Sequence, residues 1–537
     1  MTKVTGVGVY QTGCFFAVLL SSFLYANVVY VNISATGANN GVNWANAYTD
    51  LQPALSAAVS GDEIWVAAGT YKPSVAVGGT GDRFKTFQLA NGVAIYGGFS
   101  GTETNRDERN WQTNSTVLSG DLSGNDNLSL DVTQLLTDPS RSENCLHVVS
   151  FQNVDHSLIL DGFIITGGNA TEQGIFGYSG GGIYTENEPS PTWDCSSEGP
   201  VIAHCTLIKN SANGEGGGIY NRYNCSPQIK NCQFIENASQ WGGGAIYSDS
   251  STPIIEDCVF QNNIAQDAQA GSGGAIENEG SSPVITRCSF SGNIAAWGGG
   301  AVNNWMTDCY PEFYNCLFVG NSARYGGVIR TANNYQPGNN LFFVNCTMTG
   351  NSADYGTIAF CEPGRFGAIP STLSFTNCIL WNGTTPFRNA DGSTINVTYT
   401  DIEGSDSGTG NINIDPLFVN AAGGDLRLQS DSLCIDAGNN AIIPAEITTD
   451  LANERRIVDG DCDNNPIIDI GAYEYYQVGE LDAACGVNIG DFHHFSQSWL
   501  QTGCEKPDNC NQADIDRNGT VELFDLIEFA VHWLDGI

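Results

Sequence analysis

Asp514, Asp516, Asn518, Thr520, Glu522 and Asp525 stand at positions 1, 3, 5, 7, 9 and 12 of one loop. Side-chain oxygens at this spacing, with the Thr520 backbone carbonyl between them, trace the arc that a hard cation such as Ca2+ needs. Gly519 falls at position 6, where such a loop must turn sharply. An apolar-faced helix is expected to follow over residues 526–533. The bland alternative is an acidic surface loop that binds nothing. Ligand spacing, glycine and flanking helix agree, and they favour calcium.

A second constellation emerges when the chain is aligned on its cysteines. One position then holds Tyr184, Tyr220, Tyr247, Glu277, Asn303 and Arg330 in turn. Two residues further on come Glu186, Arg222, Asp249, Glu279 and Trp305. On a strand, side chains at i and i+2 share a face. The alignment therefore predicts one exposed strip of tyrosines, carboxylates, an arginine and a tryptophan. Aromatic rings stack on sugar faces, and carboxylates bond sugar hydroxyls. Asp249 and Glu279 fall one repeat apart, near the ~5–5.5 Å carboxyl separation of a retaining glycosidase. Such spacing also comes free from stacking, and solvated charges cover many surfaces. A second column, Glu215, Trp241, Trp297, Tyr325 and Tyr355, reads as aromatic packing at a corner.

The elements behind these positions repeat. Cys205, Cys232, Cys258, Cys288, Cys316, Cys346 and Cys378 recur at intervals of 27, 26, 30, 28, 30 and 32 residues. Two residues past each cysteine lies Leu207, Phe234, Phe260, Phe290, Phe318, Met348 or Leu380. Five past lies Asn210, Asn237, Asn263, Asn293, Asn321 or Asn351, and the seventh copy has Gly383 instead. A period of about 28 with strand-like alternation means stacked coils. The expected fold is an all-β parallel solenoid, its coils ~4.8 Å apart. Cysteines and Phe/Leu/Met form internal columns, and the asparagines form a hydrogen-bonded ladder at a turn. The Gly-Gly-Gly-Ala-Ile element permits a corner into the next strand.

This unit resembles the repeat of chlamydial-type polymorphic outer-membrane proteins, which pair Phe-x-x-Asn with Gly-Gly-Ala-Ile/Val. The matching residues are Phe234–Asn237, Phe260–Asn263, Phe290–Asn293 and Phe318–Asn321, with Gly243–Ile246, Gly273–Ile276 and Gly299–Val302. Over residues 180–380 the resemblance implies a right-handed, single-stranded parallel β-helix of the pectate-lyase type and a surface or adhesive role. Upstream, residues 28–33 read as a strand, and residues 49–55 as a short capping helix with Thr49 as N-cap. Residues 411–476 contain Pro416-Leu-Phe-Val, Cys434-Ile-Asp-Ala-Gly and Asp469-Ile-Gly-Ala-Tyr-Glu. They resemble the choice-of-anchor Q segment, which implies surface display or secretion. Asp525 replaces the Glu of an EF-hand, and one helix follows, so residues 477–537 look like a dockerin module. Its first copy is degraded, with Ala484 and Cys485 at ligand and turn positions, while Asp482, Asn488 and Asp491 remain. A cohesin-like or envelope partner is implied.

Residues 1–26 form a short positive start, an apolar run and a small residue at Ala26, the pattern of a secretory signal peptide. No later segment is long enough to span a bilayer. The solenoid with its cap is placed at residues 27–410. Among 18 cysteines, the column residues are expected as buried thiols. Bridges are expected for Cys195–Cys225, Cys434–Cys462 and within the set Cys485, Cys504 and Cys510. The 537 residues carry 58 acids against 20 bases, a net charge of −38. That field repels nucleic acid, anionic lipid and polyuronates unless metal ions intervene. A pectate-lyase-like lyase is disfavoured further because Arg222 alone supplies a base within the acidic cluster. The chain therefore reads as a secreted or cell-surface β-helix protein that binds a polysaccharide or surface glycan and is tethered through calcium. The alternative is a polysaccharide-degrading glycosidase or lyase on the same fold.

Overall fold

Ile229, Phe234 and Ile246 cannot bury themselves within one 27-residue turn of chain. Each pairs instead with its counterparts on both sides: Ile229 with Ile202 and Ile255, Phe234 with Leu207 and Phe260, Ile246 with Ile219 and Ile276. The computed structural model describes residues 27–537 except 173–176, 188–198, 224, 307–308, 334–337, 363–369, 384, 462, 482–486, 505–508 and 534–537. In-register pairing repeats along the chain and builds parallel sheets of 12, 11, 10 and 7 strands, with one antiparallel pair near the C-terminus. The result is a parallel β-solenoid with one continuous apolar core from Val31 to Ile402.

The internal columns are as expected. Phe234, Phe260, Phe290 and Phe318 stack with ring centroids 4.6 to 4.8 Å apart, close to the ~4.8 Å spacing of neighbouring strands. The column cysteines are buried free thiols. Cys232 lies 3.3 Å from the Lys230 carbonyl and 3.5 Å from that of Ile202. The asparagine ladder runs unbroken: each Nδ2 donates to the next Oδ1 at 2.9 to 3.2 Å, from Asn210 through Asn351 to Asn382. The seventh coil therefore keeps its asparagine, one residue before Gly383.

Each coil turns partly through left-handed residues. His204, Asn231, Asp257, Arg287, Asn315, Asn345 and Asn377, one before each column cysteine, all have φ near +50°. Asparagine tolerates this conformation better than most residues, and four of the seven are asparagine. Several of these corner side chains hold the C-terminal segment, which runs back along the stack. Asn377 Nδ2 donates to the Asn439 carbonyl at 3.2 Å, Asn345 Nδ2 to that of Asp469 at 3.1 Å, and Asn315 Nδ2 to that of Thr449 at 2.8 Å.

The N-terminal helix covers Leu51–Ala57 and seals the stack with Leu51 and Ala54. Its cap is Asp50, not Thr49: Asp50 Oδ1 accepts from Gln52 N at 2.9 Å, while the Thr49 amide is engaged by Asn39. At the other end, helices Ile489–Ser498 and Leu523–Val531 pack through Phe495 and Phe529, 5.3 Å apart. Cys504 and Cys510 form a disulfide. Cys225 and Cys434 are free thiols, contrary to the expected bridges. Cys225 lies 2.7 Å from Thr185 Oγ1, and Cys434 donates to Asp401. Cys195, Cys462, Cys485, Asp482, Ala484 and residues 1–26 lie outside the described residues. Among the described residues, no helix is long and apolar enough to cross a membrane.

Candidate functional site

The expected strip is one face of the ten-stranded sheet. Tyr184, Tyr220, Tyr247, Glu277, Asn303 and Arg330 are register partners in succession, as are Glu186, Arg222, Asp249, Glu279 and Trp305. The expected exposure of the tyrosines is not what the stacking yields. Identical residues on adjacent coils lie face to face, so Tyr184, Tyr220 and Tyr247 cover one another at 5.5 and 5.3 Å and are buried. Their ring faces are closed to a sugar.

The strip divides into two parts. In the first, Arg222 sits between acids, 3.6 Å from Glu186 and 3.1 Å from Asp249. Tyr184 donates to Glu186 at 2.6 Å. These charges are mutually satisfied. In the second, Tyr247, Glu277, Glu279 and Trp305 join Glu215, Trp241, Trp297, Arg330 and Glu362 around a cleft of about 340 Å³. The column expected to be corner packing supplies three of its walls. Trp241 is 43% exposed there. Asp249 does not line the cleft, so the Asp249–Glu279 pair is adjacent in register but split in setting.

Protein surrounds Glu277 except at the cleft. Its Oε1 accepts from Asn303 Nδ2 at 2.9 Å, Asn303 Oδ1 accepts from Arg330 Nη1 at 2.9 Å, and Arg330 Nε donates to Glu362 at 2.7 Å. This chain crosses four coils and fixes the carboxyl. Burial raises the Glu277 carboxyl well above the usual range. Burial also raises Glu279, with the Asp249 charge adding to it, although the Tyr247 hydroxyl donates to Glu279. Glu215 is raised by burial as well. Desolvation favours the neutral acid in each case. In its neutral form such a group donates as well as accepts, which suits hydroxyl partners.

Gly242 makes room for this floor, since a Cβ there would stand 1.8 Å from Glu277 Oε2. Likewise a Cβ on Gly298 would meet Arg330 Cδ at 2.1 Å. The turn at residues 267–271, held by Asp267 Oδ1 accepting from Gln269 N and Ala270 N, forms one rim. Two longer connections border the first coil of the strip, at residues 171–178 and 188–199. Of these, 173–176 and 188–198 lie outside the described residues, and Tyr178 meets Trp241 edge-on at 5.2 Å. Arg330 stood on the expected strip, whereas Glu362 and the 267–271 turn were missed as site residues. The first glycine of the Gly-Gly-Gly-Ala runs at 242–245 and 298–301, where the intervening repeat has Ser272, was the available signal. Another cleft, at Tyr96, Arg106, Arg109 and Trp111, has its charges internally paired: Arg109 with Asp161 at 2.7 Å and Arg106 with Glu63 at 3.1 Å.

In the C-terminal loop, carboxylate oxygens of Asp514, Asp516 and Asp525 come within 4.8 Å of one another. Gly519 adopts φ +90°, and its amide and that of Asn518 donate to Asp514 at 2.9 and 3.1 Å. Burial, with the Asp525 charge adding, raises the Asp514 carboxyl. Glu522 accepts from Asn518 Nδ2 at 3.3 Å and is not one of the three that converge. Thr520 N donates to Asn518 Oδ1 at 3.0 Å. Three carboxylates gathered around a glycine turn fit a hard cation. The two helices start alike. Asp525 accepts from Glu522 N and Asp516 N, and Asp491 from Asn488 N and Leu481 N. This matches the duplication read from the sequence.

With this geometry established, comparison with known proteins places the solenoid. Residues 147–323 match the family model described as right handed beta helix region. The chain thus contains a right-handed parallel β-helix. Among solved structures it is similar to the crystal structure of pectate lyase Pel9A, at 14% identity and a TM-score of 0.47, covering 84% of this chain and 97% of that one. No curated protein matches.

Proposed function

We propose that this is an exported, secreted or cell-surface β-helix protein that binds a polysaccharide or surface glycan in the cleft between Trp241, Trp297 and Trp305. The observation that carries the reading is the floor beneath these indoles. Glu277 and Glu279 are shifted toward their neutral forms, and Asn303 and Arg330 hold Glu277 in place. Indole faces with fixed hydroxyl partners are what a neutral sugar requires. The net charge of −38 opposes polyuronates. A lyase would need an unengaged base, and both Arg222 and Arg330 are held by carboxylates.

A second reading is glycoside hydrolysis. It is favoured by one observation, the unequal settings of neighbouring acids. Glu277 and Glu279 are raised by burial, while Asp249 is ion-paired with Arg222 at 3.1 Å. Neighbouring carboxyls in such unlike settings suit acid and base roles. A glycan screen on the full chain, reading both binding and released reducing or unsaturated ends, separates the two. Binding that survives Glu277→Gln, with no ends released, supports the binding protein. Released ends that vanish in Glu277→Gln or Glu279→Gln establish the enzyme. No binding and no products would defeat both.

The C-terminal module completes the proposal. Asp514, Asp516, Asn518, Thr520, Glu522 and Asp525 would hold one Ca2+, and the paired helices of this dockerin-like module would dock the protein to a cohesin-like or envelope partner. The choice-of-anchor Q-like segment between solenoid and module fits the same display role. Asp516→Asn should weaken calcium binding at this loop at least tenfold in calorimetric titration. Unaltered binding would remove the loop from the proposal.

A further inference from the structure

Between strand Thr116–Ser119 and strand Val149–Gln152 the chain leaves the solenoid. It drapes along the outside of the stack. Leu130 and Leu135 bury against Ala238 and Ile264. Lys209 Nζ donates to the Leu128 and Leu130 carbonyls at 2.8 and 3.1 Å. No repeat column reaches this excursion, and its C-terminal end is held by Arg141, which donates to the Gly168 and Lys209 carbonyls at 2.9 and 3.1 Å, and by Asn144, which donates to that of Gly167 at 2.8 Å.

At the base of the excursion, carboxylate oxygens of Asp121, Asp126 and Glu143 lie within 4.8 Å of one another. The Asp121 carboxylate accepts from the amides of Gly124, Asn125 and Asp126, at 2.6, 3.2 and 3.2 Å, which curls the loop around it. The Asp126 side chain is only 10% exposed. Its Oδ2 accepts from Arg141 Nη1 at 3.1 Å and Asn144 Nδ2 at 3.0 Å. Its Oδ1 is enclosed with no donor. Glu143 Oε1 and the Oδ1 of fully buried Asn144 are likewise enclosed and without a donor. Buried acceptors left unpaired are costly, and gathered carboxylates repel. The cations at hand are Arg141, already on the far oxygen of Asp126, Arg83, which pairs with Glu172 at 3.3 Å, and Lys72, whose Nζ is engaged by the Leu122 carbonyl at 3.4 Å. Three negative charges and one adjacent arginine leave an excess that a divalent ion would balance. Oxygens on opposite sides of a Ca2+ with bonds of ~2.4 Å stand ~4.8 Å apart.

We infer that Asp121, Asp126, Glu143 and the Asn144 side-chain carbonyl bind one Ca2+, which ties together the two ends of the 121–144 excursion where it leaves and rejoins the solenoid. This site is separate from the C-terminal loop and does not depend on the glycan reading.

The test is calcium titration by calorimetry on the full chain carrying Asp514→Asn and Asp516→Asn, which silence the C-terminal loop. One equivalent should remain bound. Adding Glu143→Gln, which leaves the Arg141–Asp126 pair in place, should weaken that equivalent at least tenfold. Asp121→Asn should do the same, with the far-ultraviolet circular dichroism of a β-protein retained in both. Chelator should speed proteolysis between residues 121 and 144 at least tenfold. The inference is overturned if the silenced chain binds no calcium, if Glu143→Gln and Asp121→Asn leave its binding unchanged, or if chelator leaves that cleavage rate unchanged.

Discussion

The Glu277 carboxylate occupies the space where a side chain on Gly242 would be, 1.8 Å from the position of its Cβ. One coil thus concedes volume so that the next can place an acid in the cleft. Gly242→Ala should force Glu277 out of position while the coils stay in register. The expected result is a loss of glycan affinity of tenfold or more, about 1.4 kcal/mol, with an unchanged circular dichroism spectrum. Undiminished affinity would mean that Glu277 takes no part in the site.

Two aromatic substitutions should separate binding from stability. Trp241 is 43% exposed on the cleft wall. Trp241→Ala should lower glycan affinity and leave the denaturation midpoint nearly unmoved. Phe260 is fully buried between Phe234 and Phe290 at 4.8 and 4.6 Å. Phe260→Ala should cost about 3–5 kcal/mol by cavity formation. Guanidinium titration beside a binding assay reads both, and the reverse pattern would refute the assignment of Trp241 to the cleft.

The asparagine ladder should be sensitive to one missing rung. Asn293 accepts from Asn263 N and Nδ2 at 3.0 and 2.9 Å, and donates to the Phe260 carbonyl and Asn321 Oδ1, both at 2.9 Å. Asn293→Ala removes the side-chain partner of Asn263 N and of the Phe260 carbonyl, while Asn263 Nδ2 keeps the Phe234 carbonyl and Asn321 Oδ1 keeps the amide of residue 293. Each orphaned buried group costs about 1–3 kcal/mol. A sharp fall in the melting temperature is expected, and Asn293→Asp should not restore it, since a carboxylate cannot donate to the Phe260 carbonyl. A melting temperature within a degree or two of wild type would count against the ladder as a source of stability.

Asp401 supplies a stability test with a definite sign. It is buried at the last coil, where its oxygens accept from Ile414 N at 3.1 Å and Cys434 Sγ at 3.4 Å. Burial raises its carboxyl from 3.8 to about 6. The folded chain then holds a proton there that the unfolded chain releases, so stability falls as pH rises from 3.8 to about 6. Asp401→Asn, which cannot ionise, should gain on the wild type across that window and stay ahead at pH 7. Parallel denaturation curves at pH 4 and pH 7 read the difference. A gap that does not widen with pH would show that Asp401 ionises normally in the fold.

Much of the solenoid was legible because stacking reduces three dimensions to a period. Once Cys205 and Cys232 define the step, the partners Arg222–Asp249 and Asp249–Glu279 follow by counting. Counting does not say which faces close. Tyr220 and Tyr247 were readable as neighbours, but not as rings that bury each other. The cleft needs the 267–271 turn, an insertion outside the repeat, and Glu362, whose role depends on the reach of Arg330 across one coil. Asn382 replaced the expected rung because side-chain position, rather than residue number, carries the ladder. The 121–144 excursion has no periodicity, and its contacts with Lys209 and Ile264 join residues that no local pattern links.

The ladder from Asn210 to Asn382 passes an identical bond from coil to coil and closes where Asn382 Nδ2 donates to the Asn351 carbonyl at 2.8 Å. Its interior rungs are interchangeable. Removing or duplicating one whole coil would return every column to register, whereas a shift of a few residues would dislocate all of them. Growth in this molecule is therefore quantised, in steps of about one strand spacing, ~4.8 Å. The distance from the sealed N-terminal end to the last coil is thus a length that recombination can change in whole steps, outside the coils whose Asn315, Asn345 and Asn377 hold the C-terminal segment.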